Sequence, residues 1–271
     1  MCLCYPLLTE TILSTLMKHA ELLESVAIIA RAAGEAILQI YATDFKVRGK
    51  DDASPVTEAD ERAEKVILAG LLELTPEVPV VAEESVAAGR VPDLPASGRR
   101  FWLVDPLDGT KEFINRNGEF TVNIALIEGA EPILGVVLAP ALGRLFAGSS
   151  AIGAYVDDAA GRRPIRCRPV PAAGLTVVAS RSHGDASGLD EFLTGRKVAS
   201  LANAGSSLKL CLVAEGSADL YPRLGRTMEW DIAAGHAVLR AAGGDVRTLT
   251  GEALRYGKPG FDNPHFVAAG L

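Results

Sequence analysis

Apolar residues recur at helical spacing from about His19 to Tyr41, with Leu22, Val26, Ile29, Ala30, Ala33 and Ile37 on one side, which predicts an amphipathic helix. A polar stretch, Lys46 to Ser54, follows and ends at Pro55. Thr57-Glu58-Ala59-Asp60 then opens a second helical pattern through Ala63, Val66, Ile67 and Leu71. Thr57 is a good N-cap, and Asp60 stands where a capping partner would. The period changes after that. Val78 to Ala82 reads as a strand delivering Glu83 and Glu84, and Phe101-Trp102-Leu103-Val104 as a buried strand leading into a loop. Phe120 to Ile127, Ile133 to Ala139 and Arg144 to Gly148 are strand-like runs divided by Gly and Pro, the pattern of an antiparallel meander, with short strands continuing from Gly153 to Arg168.

Near residue 170 the pattern becomes alternating. Strands over Thr176 to Ala179, Val198 to Leu201 and Ala218 to Tyr221 alternate with helices over Gly188 to Leu193, Ser206 to Ala214 and Asp231 to Ala242, the last stopping at Gly243-Gly244. The expected organisation is an apolar extension of unknown role at 1–18, an α+β half at 19–168 and an α/β half at 169–271. No repeat, low-complexity run or long linker separates the halves, so they should share an interface.

Composition narrows the classes. A chain of 271 residues that is 48% hydrophobic can bury a sizeable core, and its net charge of −7 offers no basic surface for duplex nucleic acid. A small anionic ligand stays open, because bound metals reverse the local field. Cys2, Cys4, Cys167 and Cys211 show neither paired CxxC spacing nor a disulfide-rich pattern, so reduced cytosolic thiols are expected. No run of 18 apolar residues predicts a membrane span. The first 17 residues are apolar but lack a basic start and a clear cleavage site, and Glu10 interrupts them. They read as an extension packed on the domain, or as the product of an upstream start codon, rather than as a signal peptide.

The chemistry concentrates in Asp105-Pro106-Leu107-Asp108-Gly109-Thr110. Two carboxylates three residues apart, rigidified by a proline, can face one small volume, which is repulsive unless cations fill it. Mg²⁺, Mn²⁺ or Ca²⁺ suits such oxygens, and the Leu107 carbonyl lies between the two acids. Gly109 lets backbone approach a ligand and Thr110 adds a hydroxyl. Each acid also has an ordinary reading. The DPLDG stretch could be a solvated turn, Glu83 one of a solvated Glu-Glu pair, Asp231 an N-cap and Asp60 a capping residue. Trp230 beside Asp231 reads as core, and His236 as a surface position on the same helix.

Taken together, SPVTEAD (54–60), AEES (82–85), DPLDGTKEF (105–113) and EWDIAAGHAVLRAAGG (229–244) resemble the inositol monophosphatase superfamily of Mg²⁺-dependent, lithium-sensitive phosphatases. Within it, DGTKEFINRNGEFTVNIALIE and GSSLKLCLVAEGSADLYPRL (205–224) are similar to the CysQ-type 3′(2′),5′-bisphosphate nucleotidases. The resemblance spans roughly residues 20 to 270. It implies a layered αβαβα sandwich with the metal site between the halves. It matches Glu83, Asp105, the Leu107 carbonyl, Asp108 and Asp231 to ligands of two or three Mg²⁺ ions, and Asp60 and Thr110 to the pair that orients and activates the attacking water. It also matches Asp108, Gly109 and Thr110 to the phosphate-holding backbone. Ser206, Lys209 and Arg223 align with residues holding a distal phosphate or ribose, with His183 as a looser fourth and Arg226 as a substitute or assistant for Arg223. The ordinary alternatives are a solvated helix lysine for Lys209 and a loop cation near Asp219 for Arg223.

The function so implied is hydrolysis of adenosine 3′,5′-bisphosphate to AMP and phosphate, and also of 3′-phosphoadenylyl sulfate, in sulfate assimilation and its recycling. The alternative within the class is an inositol-1-phosphate or fructose-1,6-bisphosphate phosphatase. A non-catalytic nucleotide or metal sensor is the alternative from another class. The partner is a small nucleotide bisphosphate, not duplex nucleic acid, and the resemblance allows a monomer or a homodimer. A cytoplasmic location is expected, with peripheral attachment to the inner face of the membrane allowed by resemblance.

Overall fold

A computed structural model describes residues 5–49, 55–94, 100–180 and 186–270. Helix α1 (Tyr5–Tyr41) leads to a two-stranded antiparallel ribbon, β1 (Val47–Gly49) with β2 (Pro55–Thr57), and so into α2 (Glu58–Leu74). Strand β3 (Val80–Ala82) and the short α3 (Glu83–Ala87) precede β4 (Arg100–Asp108) and α4 (Thr110–Ile114). The chain then meanders through β5 (Thr121–Glu128), β6 (Glu131–Ala139), β7 (Arg144–Ser149), β8 (Gly153–Asp158) and β9 (Gly161–Ile165). Among the described residues β3 to β9 form one seven-stranded sheet in sequence order, in which only the β3–β4 pair is parallel.

The remainder comprises β10 (Leu175–Ser180), α5 (Ala186–Leu193), β11 (Val198–Ala204), α6 (Leu208–Ala214), β12 (Leu220–Arg223), α7 (Glu229–Ala241), β13 (Gly244–Thr248) and β14 (Phe266–Gly270). Its five described strands order as β11-β10-β12-β14-β13. The β10-to-β11 and β11-to-β12 crossovers travel in opposite directions across the sheet. Right-handed connection therefore puts α5 and α6 on opposite faces. Because α6 packs on α7, which lies against the large sheet, α5 forms the outer layer. The layers run α1 and α2, large sheet, α6 and α7, small sheet, α5: an αβαβα sandwich.

Burial explains why the central strands read as nearly continuous apolar runs. On β4 and β5 the residues Trp102, Val104, Val122, Ile124 and Leu126 face the core under α1 and α2, while Phe101, Leu103, Ala125 and Ile127 face the core around α7. Helix α7 comes close to the sheet because the sheet is bare there. A Cβ on Gly135 of β6 would stand 2.3 Å from the Ala234 carbonyl oxygen, and one on Gly148 of β7 would stand 2.9 Å from Val238 Cα.

Several boundaries differ from the sequence reading. Helix α1 begins at Tyr5 rather than near His19, with no break between the apolar extension and the amphipathic helix. Strands β13 and β14 were not anticipated, and β14 enters between β12 and β13, a placement set by long-range pairing. His236 is no surface residue. It is 2% exposed, with Nδ1 2.8 Å from Tyr256 Oη and Nε2 3.0 Å from Asp245 Oδ1, and burial lowers its pKa. Trp230 is buried against Phe261 in the core. No described helix is long and apolar enough to cross a membrane.

Candidate active site

The stretch read as a loop after Val104 stays in the sheet. Strand β4 keeps register with β5 from Arg100 to Asp105, opposite Asn123, and resumes with Asp108 opposite Thr121. That is one residue more on β4 than on β5, a bulge, placed where Pro106 has no N–H for the ladder. The bulge folds the backbone round the first acid, so that the Leu107 N–H donates to Asp105 Oδ1 at 3.0 Å. Gly109, at φ 88°, turns the chain into α4, whose first residue is Thr110.

Asp60 is a capping residue that also bonds Thr110. Its Oδ2 accepts the Thr57 N–H and the Thr57 hydroxyl, each at 2.8 Å, closing the capping box of α2. Its Oδ1 accepts from Thr110 Oγ1 at 3.3 Å, and the Leu107 carbonyl lies 3.4 Å from the same hydroxyl. Capping spends one carboxylate oxygen and leaves the other for the site. Asp231 is likewise not the N-cap of its helix. Met228 holds that position, and Asp231 reaches back so that its Oδ2 accepts the Met228 N–H at 2.9 Å. Glu83 is the first residue of α3 rather than a strand end.

Asp108 joins the two halves. Its Oδ2 accepts the backbone N–H of Ser207 at 2.6 Å and the Asn123 amide at 3.4 Å, and the Ser207 hydroxyl donates to Asn123 Oδ1 at 2.7 Å. Thus the turn before α6 is tied to the bulge of β4. Glu83, Asp108, Gly109, Thr110 and Asp231 line one cleft of about 400 Å³, with Asp105 beneath them at 2% exposure.

The electrostatics of this floor are unfavourable to anions standing alone. Burial first, then the charges of Glu83, Asp108 and Asp231, holds Asp105 well above the usual carboxylate range. Asp231 is raised likewise, by burial and then by Asp108 and Glu83. Burial pushes Asp108 up to about 6 against the pull of Lys209. Crowded acids of this kind, with a carbonyl beside them, are a hard-oxygen donor set for Mg²⁺ or a similar cation. Among the described residues no three His, Cys, Asp or Glu side chains stand as a ready-made coordination sphere. A cation here would need carbonyl, water and ligand oxygens to complete its coordination.

The other end of the cleft is cationic. Lys209 is not a solvated helix lysine: it is 4% exposed, donates to the Ala204 carbonyl at 3.3 Å and to that of Ser206, and lies 5.3 Å from the Tyr221 ring centroid. Burial brings its pKa down to about 8. Arg223 does not pair with Asp219, which binds Arg168 instead at 2.8 Å; Arg223 Nη2 donates to the Arg226 carbonyl at 2.9 Å. Arg226 is exposed and paired with Asp262 at 2.8 Å. Ser206 precedes the helix, at φ 44° in the left-handed region, and lines the cleft with Lys209 and Arg223. Among the described residues, Ser206 Oγ and Arg223 Nε are the buried side-chain polar atoms without a hydrogen-bond partner. His183 lies outside the described residues.

Sequence reasoning passed over Ser207, Asn123, Tyr221 and Glu112. Ser207 and Tyr221 sit inside the subgroup motif, and Glu112 inside DGTKEF, where it lines the cleft beside Gly109 and is 6% exposed. Asn123 lies further along the same stretch, but its bonds to Asp108 and Ser207 depend on pairing across the sheet and on the second half of the chain.

The model of the inositol monophosphatase family matches residues 19–269, so the chain belongs to that family of phosphatases, whose solved members share this layering. The 3′(2′),5′-bisphosphate nucleotidase CysQ of Escherichia coli (strain K12) is 49% identical over 249 residues, 90% of this chain and 98% of that protein. CysQ from Bacteroides thetaiotaomicron superposes with a TM-score of 0.77 at 38% identity, over 92% of this chain and 97% of that one. An inositol monophosphatase from Zymomonas mobilis superposes with a TM-score of 0.74 at 25% identity, over 93% of each chain.

Proposed function

We propose that this chain is a Mg²⁺-dependent 3′(2′),5′-bisphosphate nucleotidase, which hydrolyses adenosine 3′,5′-bisphosphate to AMP and phosphate. The observation carrying the reading is the second, cationic end of the cleft. Orphaned Ser206 Oγ and Arg223 Nε, with buried Lys209 alongside, ask for an anionic partner away from the acids. A second phosphate would satisfy both atoms and the Lys209 and Arg223 charges together, which a neutral hydroxyl does not. Similarity to the CysQ nucleotidases points the same way. Because 3′-phosphoadenylyl sulfate carries the same 3′ ester, the reading extends to it.

Glu83, Asp105, the Leu107 carbonyl, Asp108 and Asp231 would hold the Mg²⁺, two or three ions in this reading. When bound, Mg²⁺ supplies positive charge that offsets the phosphate oxygens and makes water more acidic. The chain's own groups then orient the reactants. Thr110 Oγ1 donates a hydrogen bond to Asp60 Oδ1 at 3.3 Å, so its lone pairs are left to accept one from the attacking water. Thr57 holds Asp60 from behind with two 2.8 Å bonds, fixing the direction of that relay. Gly109 leaves backbone room for the phosphate, whose ester bond to the 3′ oxygen breaks as the water oxygen bonds to phosphorus, the proton lost by the water being balanced by one taken up from solvent on the departing 3′ oxygen. Ser206, Lys209 and Arg223 anchor the 5′ phosphate.

Phosphate release from adenosine 3′,5′-bisphosphate and from inositol-1-phosphate, each with Mg²⁺ and with EDTA, tests this. Mg²⁺-dependent release from the nucleotide far above that from the inositol ester is expected. Comparable efficiency on both would discard the distal-phosphate reading, and nucleotide binding without release from either would make the protein a sensor.

A further inference from the structure

Helix α3 has five residues and starts with Glu83, yet its N-cap residue, Ala82, makes no side-chain capping bond. So short a helix cannot hold its own first turn. The missing acceptor comes from another element. Glu64 of α2, 4% exposed, accepts the Glu84 N–H at 2.8 Å and the Ser85 N–H at 3.3 Å on Oε2, and the Ser85 hydroxyl at 2.6 Å on Oε1. A buried carboxylate is tolerated when donors surround it, and here three donors come from the residues directly after Glu83. Glu64 also follows Asp60 by four positions, one turn along the same face of α2. One helix therefore carries the acid that faces Thr110 and grips the turn that bears Glu83.

We propose that Glu64 is a positioning residue, which sets the Glu83 carboxylate relative to Asp60 by capping α3 from α2, and so tunes the affinity of the site for its divalent cation. This rests on the reading of Glu83 as a metal ligand. Glu64 does not touch substrate or cation in this role. It acts through hydrogen-bond geometry rather than charge, which separates its variants. Glutamine keeps a carbonyl oxygen for the two amides and can donate its NH₂ to Ser85 Oγ. Alanine keeps nothing.

The test is Mn²⁺ binding by electron paramagnetic resonance, together with the Mg²⁺ concentration for half-maximal turnover, on wild type, Glu64→Ala, Glu64→Gln and Ser85→Ala. Glu64→Ala should bind Mn²⁺ about 10 to 100 times more weakly, the usual range for losing an outer partner of a metal ligand. Its Mg²⁺ midpoint should rise by the same factor, with kcat recovering at saturating Mg²⁺. Glu64→Gln should restore most of the affinity, and Ser85→Ala, which loses one bond of three, should fall between. A purely structural role would lower the melting temperature and leave both metal midpoints in place. Wild-type affinity in folded Glu64→Ala, or in Ser85→Ala if the alanine variant at Glu64 does not fold, overturns the proposal. Were the wild type itself to bind no Mn²⁺, the metal reading of Glu83 would fall first, and the wild-type curve alone tells the two failures apart.

Discussion

Thr110 and Asp105 make different demands on their surroundings, and their variants should differ accordingly. The Thr110 hydroxyl has Asp60 Oδ1 at 3.3 Å, and the residue lines the cleft. Thr110→Ala should lower kcat by about 10² to 10³, the scale for losing one preorganised hydrogen bond to the reacting groups, and change KM little. A KM effect alone would remove it from the relay. Asp105 is crowded by Glu83, Asp108 and Asp231 after burial has already raised it. Asp105→Asn removes one of the repelling charges, so the cation-free protein should melt at the same or a higher temperature. Turnover and the stabilising effect of Mg²⁺ should both vanish. Thermal denaturation with EDTA and with Mg²⁺, run beside the activity assay, checks both halves of that expectation.

At the scale of elements, the site depends on how closely chain segments approach. Gly109 sits at φ 88°, and a Cβ there would meet Glu112 Oε2 at 3.2 Å and Ser206 Cβ at 3.3 Å. Gly109→Ala should destabilise by about 1–2 kcal/mol from the left-handed backbone alone, and should lower turnover further by pushing Ser206 off the phosphate path. Urea denaturation and kinetics on the same preparation separate the two effects. Gly135 has a different reason to be glycine: it leaves space for the α7 backbone, with the Ala234 carbonyl 2.3 Å from where its Cβ would be. Gly135→Ala should lose roughly 3 kcal/mol, the upper end of overpacking penalties, because backbone cannot rotate away as a side chain can. Asp231 rides on that helix, so the Mg²⁺ midpoint should rise as well.

The cleft between the two halves stores carboxylate repulsion, which gives its own contribution to the pH response a definite sign, opposite to that of the surface acids held low by arginines, such as Glu24 and Glu131. Asp105, Asp108 and Asp231 all have raised folded-state pKa values, Asp108 reaching about 6. A raised acid binds its proton more tightly folded than unfolded. These groups therefore subtract no stability below the ordinary carboxylate range and subtract progressively more as pH climbs through their folded values. Without divalent cations, stability should fall from about pH 4 towards pH 7 through this contribution. Mg²⁺ should raise the melting temperature more at pH 7.5 than at pH 5. An equal rise at both would mean that the acids do not share a cation site. The same network joins the halves mechanically, since Asp108 from one accepts the Ser207 N–H from the other at 2.6 Å.

The meander of β5, β6 and β7, the two amphipathic helices of the first half and the alternation of the second were legible because hydrophobic periodicity is a local property of the chain. So was the cluster around Asp105 and Asp108, since two acids, a proline and a glycine within six positions limit what the backbone there can do. The family motifs brought Asp60, Glu83 and Asp231 into the same hypothesis, and the fold lets Asp60 meet Thr110 and lets Glu83 and Asp231 line one cleft. Only the tertiary structure decided the rest. That Asp105 to Asp108 remain in a bulged strand depends on pairing with β5. That Lys209 and His236 are buried depends on the elements stacked over them. That Glu64 grips α3, and Ser207 grips Asp108, depends on contacts 20 and 99 residues apart in sequence. Side-chain pattern reports which face of an element is apolar, and that much each segment carries by itself. Which other segment covers that face, and which polar groups become partners in doing so, is set when the whole chain excludes water.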